Sequence, residues 1–464
     1  MIDRAIVEKL EEIVGKKNVL TQKVDLMTYS YDATADMPRQ VPDVVVMPLN
    51  AEEVQQIVNL ASKHNRALYP RGAGTNLSGG CIPLKQGLVV TFQRMNKILD
   101  VDPENLAAIV QPGVIIQDLN NAVAQYGLIY PPDPGTVTTA TMGGSVAENS
   151  GGLRGLKYGV TKHYVLGMEV VLANGNKVRF GGKTVKNVTA YDFSNLFIGS
   201  EGTLGFITEI TAKLIPAPKY RRTMMATYKT VEQAGNTVAG IIASKVIPAT
   251  LEIMDNMTLR TVEDYAHVGL PTDAAALLLI EVDGMAEPVV LQEAEAVQKV
   301  VKDNGGDLTV ATSDVERDKL WSARRSALPA LAQLGNCVII EDATVPRSKI
   351  TNMLVACASI GERYHVNIGT FGHAGDGNLH PTILADKNDK DEMDRVHKAV
   401  DEIFAAALSF GGTLSGEHGI GIAKMKYLAD ELGQNGLDLM KSIKEALDPR
   451  YILNPGKMVH VKGM

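Results

Sequence analysis

Behind Asn50 the chain sets Val54, Ile57, Val58 and Ala61 at i, i+3, i+4 and i+7, one face of a helix. A strand-like run at 44–48, opening on three valines, precedes that face and an apolar run at 67–70 follows it, so the spacing predicts a β-α-β opening. Asn50 is the expected N-cap, and Glu53 three residues on makes a partial capping box. Residues 1–10 mix apolar and charged side chains as an amphipathic helix does. Glycine thins out after Ile215-Pro216-Ala217-Pro218, and longer helical patterns take over. Helices are expected over 230–244, 287–304 and 348–364, and strands over 277–282 and 338–342. Residues 364–370 read as a strand and 379–384 as its return, a hairpin closed by Gly-Asp-Gly-Asn. From about Lys424 the pattern is a helix pair ending in Asn454-Pro455-Gly456-Lys457. This order of strands and helices indicates an α+β architecture, with no internal repeat.

The first half is dense in glycine. Residues 71–80 follow the second predicted strand as a dinucleotide loop would, but the third glycine of the Rossmann fingerprint would fall on Leu77. A Walker loop ending in Gly182-Lys183-Thr184 fails as well, because Lys177 stands where its leading glycine belongs. Successive small residues can instead present backbone N–H groups to a pyrophosphate as a nest. Residues 130–136, 141–152, 157–161 and 199–209 add more glycines, small hydroxyl residues and amides. That chemistry suits close backbone approach to a large, flat ligand with polar edges.

The hairpin carries the other candidate chemistry. His373 and His380 flank its turn, and Glu417-His418 follow later between glycines. Two imidazoles and a carboxylate suit a catalytic Zn or Fe(II) site. The alternative is a glycine-rich loop with ordinary structural histidines.

Composition narrows these readings. A formal charge of −7 argues against nucleic acid as the main partner. No apolar run reaches membrane-spanning length, and the N-terminal residues lack the apolar stretch of a secretory signal, so a cytoplasmic protein is expected. Cys81, Cys337 and Cys357 form no Cys-x-x-Cys, which speaks against an iron–sulfur cluster held by this chain or a disulfide framework. Redox chemistry here would need another cofactor, with single electrons leaving through a partner.

Six segments occur in one order: residues 70–75, 131–134, 143–149, 199–205, 372–380 and 454–457. Together they resemble the FAD-dependent 2-hydroxy acid dehydrogenases of the vanillyl-alcohol oxidase and p-cresol methylhydroxylase superfamily, D-lactate dehydrogenases and the glycolate oxidase flavin subunit above all. The resemblance covers roughly residues 20–460. It implies an α+β fold with a two-lobed FAD-binding domain of the p-cresol methylhydroxylase type over 1–217. An α+β cap with the substrate and metal site would span 218–423, and a C-terminal helical segment, 424–464, would return to the FAD domain.

FAD is expected to be noncovalent. Its implied contacts are Pro70, Arg71, Gly72, Ala73, Gly74, Thr75, Asn76 and Ser78 at the pyrophosphate. Along the rest of the cofactor they are Pro132, Gly135, Thr136, Met142, Gly143, Ser145, Asn149, Gly152, Tyr158, Glu201, Gly202, Ile207 and Asn454. The family's metal ligands carry over to His373, His380 and Glu417, its base to His418, and its carboxylate clamp to Arg324 of Trp321-Ser322-Ala323-Arg324. Arg325 points about 100° away from Arg324 on a helix, so one of the two is expected at the site.

Such a site would oxidise a small 2-hydroxy acid to the 2-oxo acid, D-lactate first and glycolate next. The metal would acidify the hydroxyl, His418 would take its proton, and the hydride would pass to the flavin. An electron-transferring flavoprotein is the acceptor favoured by the resemblance and an iron–sulfur subunit its rival, in a hetero-oligomer or homodimer. The other functions in view are an O₂-reducing flavin oxidase, a D-2-hydroxyglutarate dehydrogenase and a non-redox metallohydrolase.

Overall fold

The apolar spacing after Asn50 folds as a helix between parallel strands. In the computed structural model, which describes residues 2–459, the chain begins with α1 (Arg4–Val14), β1 (Val19–Leu20), β2 (Val44–Val46), α2 (Ala51–Lys63), β3 (Leu68–Arg71) and β4 (Leu88–Thr91). The strand order is β1-β2-β4-β3, with β2 and β3 parallel to β4 and β1 antiparallel to β2. Asn50 Oδ1 accepts the Glu53 N–H at 2.9 Å. The Glu53 carboxylate reaches the Leu49 N–H at 2.7 Å, one residue short of the reciprocal bond a full capping box would make. Val54, Ile57, Val58 and Ala61 are all fully buried, in one core with Val44, Val46, Leu68, Leu88 and Val90. Each valine or isoleucine buried there stabilises the fold by roughly 1.5–3 kcal/mol. The central strands are covered on both faces, which explains their uninterrupted apolar runs.

A second sheet follows. Its members are β5 (Ile98–Asp102), β6 (Ala107–Val110), β7 (Val165–Val171), β8 (Lys177–Gly181) and β9 (Phe206–Lys213), ordered β5-β6-β9-β7-β8 and antiparallel throughout. Between these strands the chain forms α3 (Met142–Glu148) and α4 (Phe193–Phe197). A small, mostly parallel sheet beside a wholly antiparallel one is not a Rossmann sheet and is the two-lobed arrangement expected.

By contact, the chain separates into two units. The first takes in Met1–Gly151, Val160–Ala217 and Glu417–Met464, and the second Gly152–Gly159 and Pro218–Gly416. The second unit is built on one antiparallel sheet. Its elements are β10 (Tyr220–Tyr228), α5 (Val231–Ala243), β11 (Thr250–Asp255), α6 (Asn256–Ala266), β12 (Ala276–Gly284), α7 (Glu287–Asp303), β13 (Asp307–Val310) and α8 (Asp314–Arg325). They continue with β14 (Cys337–Ile340), β15 (Ala343–Thr344), α9 (Ile350–Tyr364), β16 (Asn367–His373), β17 (Asn378–Ala385) and α10 (Lys390–Ser409). The strand order is β13-β10-β12-β11-β16-β17-β14, with β15 also on β17. Thr230 and Gln233 close a complete capping box at the start of α5. The last helix, α11 (Leu428–Leu447), breaks at Gly433 (φ 65°) and so supplies the expected helix pair.

One boundary moved. Residues 364–366 do not belong to a strand: α9 runs through Tyr364, and His365 caps it in the left-handed region at φ 53°. The hairpin strand therefore starts at Asn367. Among the described residues no helix is long and apolar enough to cross a membrane.

Candidate active site

The hairpin register decides which side chains meet. His373 pairs with Asn378 and Phe371 with His380. Side chains alternate along a strand, and directly paired residues share a face, so Phe371, His373, Asn378 and His380 all project from the same side. The imidazoles of His373 and His380 accordingly sit edge to face, with centroids 5.2 Å apart. The turn between them needs glycine at position 377, where φ is 89° and a Cβ would lie 2.0 Å from the Val345 carbonyl oxygen.

β11 is the next strand over, with Met254 opposite Phe371. It brings Glu252 to that face, 1% exposed, and this residue escaped the sequence reading. Glu252 Oε1 lies 2.7 Å from His373 Nδ1, and Glu252 Oε2 lies 2.6 Å from Arg324 Nη2 and accepts from Arg324 Nε at 2.8 Å. The guanidinium also sits 4.8 Å from the Phe371 ring centroid. Burial pushes the pKa of Glu252 up, but the charges of His373 and Arg324 outweigh it and hold the carboxyl below its ordinary pKa. Arg324 is buried and Arg325 exposed, so the choice left by helical geometry falls to Arg324. His380 has a different carboxylate beside it: Asp342 Oδ1 is 3.8 Å from its Nδ1, and Ser415 Oγ donates to Asp342 Oδ2 at 2.6 Å. Asp342 was also missed as a site residue; it was expected to end a strand, whereas β14 stops at Ile340 and Asp342 lies two residues beyond it, fully buried.

Gly152 and Tyr158, expected among the flavin contacts, belong to this second unit. There the Tyr158 hydroxyl donates to Asp283 Oδ2 at 2.7 Å and Lys157 Nζ to Asp283 Oδ1 at 2.6 Å.

In the first unit the site is made by close backbone approach. A Cβ on Gly72 would fall 2.4 Å from Thr141 Oγ1 and 3.7 Å from the Cα of Gly144. Gly202, at φ 68°, would place one 2.2 Å from Pro70 Cγ. The segments 70–78, 141–149 and 199–207 thus converge. Arg71 is buried and donates to the Tyr31 carbonyl at 2.8 Å, Ser145 and Ser150 hydroxyls are 2.6 Å apart, and Asn149 caps α3 in the left-handed region. Asn454 Nδ2 donates to the carbonyls of Gly80 (3.0 Å) and Glu201 (2.6 Å). Lys457 Nζ donates to Ile82 O and Asn454 Oδ1 at 2.6 and 2.8 Å, 4.6 Å from the Tyr69 ring centroid. Burial brings its pKa down to about 7. Asn76 Oδ1 and Ser78 Oγ are buried without a hydrogen-bond partner among the described residues. Buried acceptors in a glycine-lined loop fit a polar ligand such as a pyrophosphate-linked dinucleotide. Pro132, Gly135, Thr136 and Met142 lie in the same unit.

Glu417 and His418 open the last stretch of this first unit, and their ligand atoms lie within 4.8 Å of each other. The peptide N–H groups of Ile420 and Gly421 donate to the two carboxylate oxygens of Glu201 at 2.6 and 2.7 Å, which fixes the loop behind His418. Glu201 and the nearby Glu148 both have raised pKa values, through burial first; for Glu148 the Glu201 charge adds to it. Gly416, the covalent neighbour of Glu417, ends the second unit, and a Cβ on it would lie 2.8 Å from Asn378 Nδ2 in the hairpin.

A model of the FAD binding domain matches residues 42–181, and one of the FAD linked oxidases C-terminal domain matches residues 217–458. The chain is 51% identical over 460 residues to the glycolate oxidase subunit GlcD of Bacillus subtilis, covering 99% of this chain and 97% of that protein. It is 36% identical to GlcD of Escherichia coli K12 over 99% and 92% of the two chains. It is also 36% identical to the D-lactate dehydrogenase of Anaerostipes hadrus over 98% and 97%. A substrate-bound p-cresol methylhydroxylase shares its fold with a TM-score of 0.80 at 17% identity, over 99% and 97% of the two chains.

Proposed function

We propose that this chain, which belongs to the FAD-linked oxidases and is an FAD-linked oxidoreductase, oxidises a small 2-hydroxy acid to the 2-oxo acid and passes the electrons to a protein partner. The observation that carries this reading is the buried face of the hairpin, where Arg324, His373 and His380 gather round carboxylates. Glycolate and D-lactate are the substrates proposed, because relatives across nearly the full length bear both names.

In this reading residues 1–217 hold FAD, noncovalently, and residues 218–423 form the substrate cap to which 424–464 is joined. His373, His380 and Glu417 would hold a divalent metal, Zn or Fe(II), whose donor set of two imidazoles and a carboxylate suits either. With Nδ1 of His373 bonded to Glu252, ligation would go through its Nε2. When bound, the flavin supplies the hydride acceptor and the metal the acidification of a coordinated hydroxyl. The chain's own residues do the rest. Arg324 binds the substrate carboxylate and sets which way Cα–H faces. His418 Nε2 or Nδ1 takes the hydroxyl proton at neutral pH. Burial of the hairpin face excludes water from the charged pair.

An electron-transferring flavoprotein in the cytoplasm is the acceptor proposed, with an iron–sulfur subunit as the alternative; two relatives are named as subunits. Anaerobic mixing with glycolate, D-lactate, L-lactate and D-2-hydroxyglutarate tests the substrate. Flavin bleaching by glycolate or D-lactate supports the reading, and bleaching by none of the four overturns it. The word oxidase in the relatives' names favours a second reading, direct reduction of O₂. Rapid reoxidation of the reduced enzyme by air would establish it.

A further inference from the structure

We propose that Glu252 is a positioning residue that ties the carboxylate clamp to the metal ligand set, so that one buried carboxylate orients both Arg324 and His373. The inference rests on the roles proposed above for those two residues.

The geometry is specific. Glu252 lies in β11, among Leu251, Ile253 and Met254, every one of them buried. A carboxylate there is costly unless it is paired and hydrogen-bonded. Its two oxygens have separate partners. Oε2 takes the Nε and Nη2 edge of Arg324, at 2.8 and 2.6 Å, and Oε1 takes Nδ1 of His373 at 2.7 Å. Because β11 pairs with β16 at Ile253–Gly372 and Met254–Phe371, the sheet itself holds Glu252 beside His373. Arg324 comes from α8, seventy-two positions further along the chain, and is held by its guanidinium edge and by stacking on Phe371.

Two consequences follow. A carboxylate accepting from Nδ1 selects the Nδ1–H tautomer, which turns Nε2 into the lone-pair nitrogen and makes it more basic toward a metal. The same carboxylate fixes the guanidinium plane, so the remaining edge of Arg324 meets a substrate carboxylate in one orientation. Metal and substrate carboxylate are thereby kept in register by a residue that needs to touch neither.

Two measurements test this. The first uses the unaltered enzyme: ¹⁵N-histidine NMR, with the His373 signals assigned by their loss in His373→Gln. An Nδ1–H signal in a strong hydrogen bond is expected; an Nε2–H tautomer overturns the proposal. The second titrates apo-enzyme with Zn²⁺ against a competing chelator, for wild type, Glu252→Gln and Glu252→Asp. Loss of such a partner weakens metal binding by about 10–100-fold, and the same range is expected for Glu252→Gln, with FAD content unchanged. Glu252→Asp keeps the charge but is one methylene too short to span both partners, so it should be impaired as well. Full Zn²⁺ affinity in Glu252→Asp would reduce the effect to charge and overturn the positioning role; unchanged affinity in Glu252→Gln would do the same. A wild-type enzyme that takes up no metal would sink the metal assignment instead, and the tautomer measurement would still decide on Glu252.

Discussion

The glycine-lined loops of the first unit and the hairpin face of the second build their sites from opposite materials. In the first, backbone segments approach so closely that a single methyl group has no room: Gly72 faces Thr141 and Gly202 faces Pro70. In the second, four long side chains, Glu252, Arg324, Phe371 and His373, interlock through heads that must each be present. The difference teaches where each site is vulnerable. A backbone site fails when an atom is added, whereas a side-chain site fails when a functional group is taken away. In the function proposed above it also separates two duties, holding a large cofactor by shape and activating a small substrate by charge.

The largest effect should come from the side-chain site. His380→Ala removes a proposed metal ligand and is expected to abolish turnover and strip the metal while the flavin absorbance stays. Metal analysis and the flavin-to-protein absorbance ratio check both halves; a variant with full metal and activity breaks the comparison at once. Next comes His418→Asn. Flavin reduction under anaerobic stopped flow should slow by about 10²–10⁴-fold, the usual contribution of a general base, with metal retained. Unchanged reduction would remove His418 from that role.

The converse test adds an atom. Gly202→Ala forces a side chain into left-handed backbone, costing roughly 1–2 kcal/mol, besides placing a Cβ 2.2 Å from Pro70. FAD should be lost on gel filtration and the thermal midpoint lowered, while Zn²⁺ binding survives. Loss of metal with retention of FAD would be the opposite of what the contrast requires.

The smallest effect concerns Lys457. Its pKa falls from 10.5 to about 7 on burial, so between those values the unfolded chain carries a proton that the folded chain lacks. Stability then rises with pH through that window, and the cost of the buried charge is fully present below about 7. Between pH 7 and 9 the gain is on the order of 1–3 kcal/mol. Denaturant unfolding of wild type and Lys457→Met across that range checks it, because the variant should show no such rise.

How much of this was legible in the sequence differs between the two regions. The hairpin was readable because alternation of side chains and a Gly-Asp-Gly turn are local, and the register then puts His373 and His380 on one face. The partner of His373 was not, since Glu252 lies 121 positions away in a strand where a lone charge normally faces solvent. Only burial distinguishes it. The glycine segments announced a ligand, yet nothing local says that Gly202 packs on Pro70 or that Asn454 bonds to Gly80. The start of the hairpin strand was misjudged by three residues because Tyr364 and Val366 have strand-like side chains, whereas Tyr364 is the last residue of the helix and His365 its left-handed cap. Least visible was the loan of residues 152–159 to the second unit, where Leu153 joins the core with Leu259, Leu277 and Trp321.

The return of the chain to its first unit bears on biosynthesis. Lys444 Nζ bonds to the Thr203 carbonyl, and Asn454 bonds to those of Gly80 and Glu201. The loops that these side chains fasten are made more than two hundred residues earlier. At translation speeds of roughly 5–20 residues per second, the early half waits tens of seconds on the ribosome before its clasp exists. A nascent chain therefore has every residue of its second unit in hand before the clasp of the first unit can form.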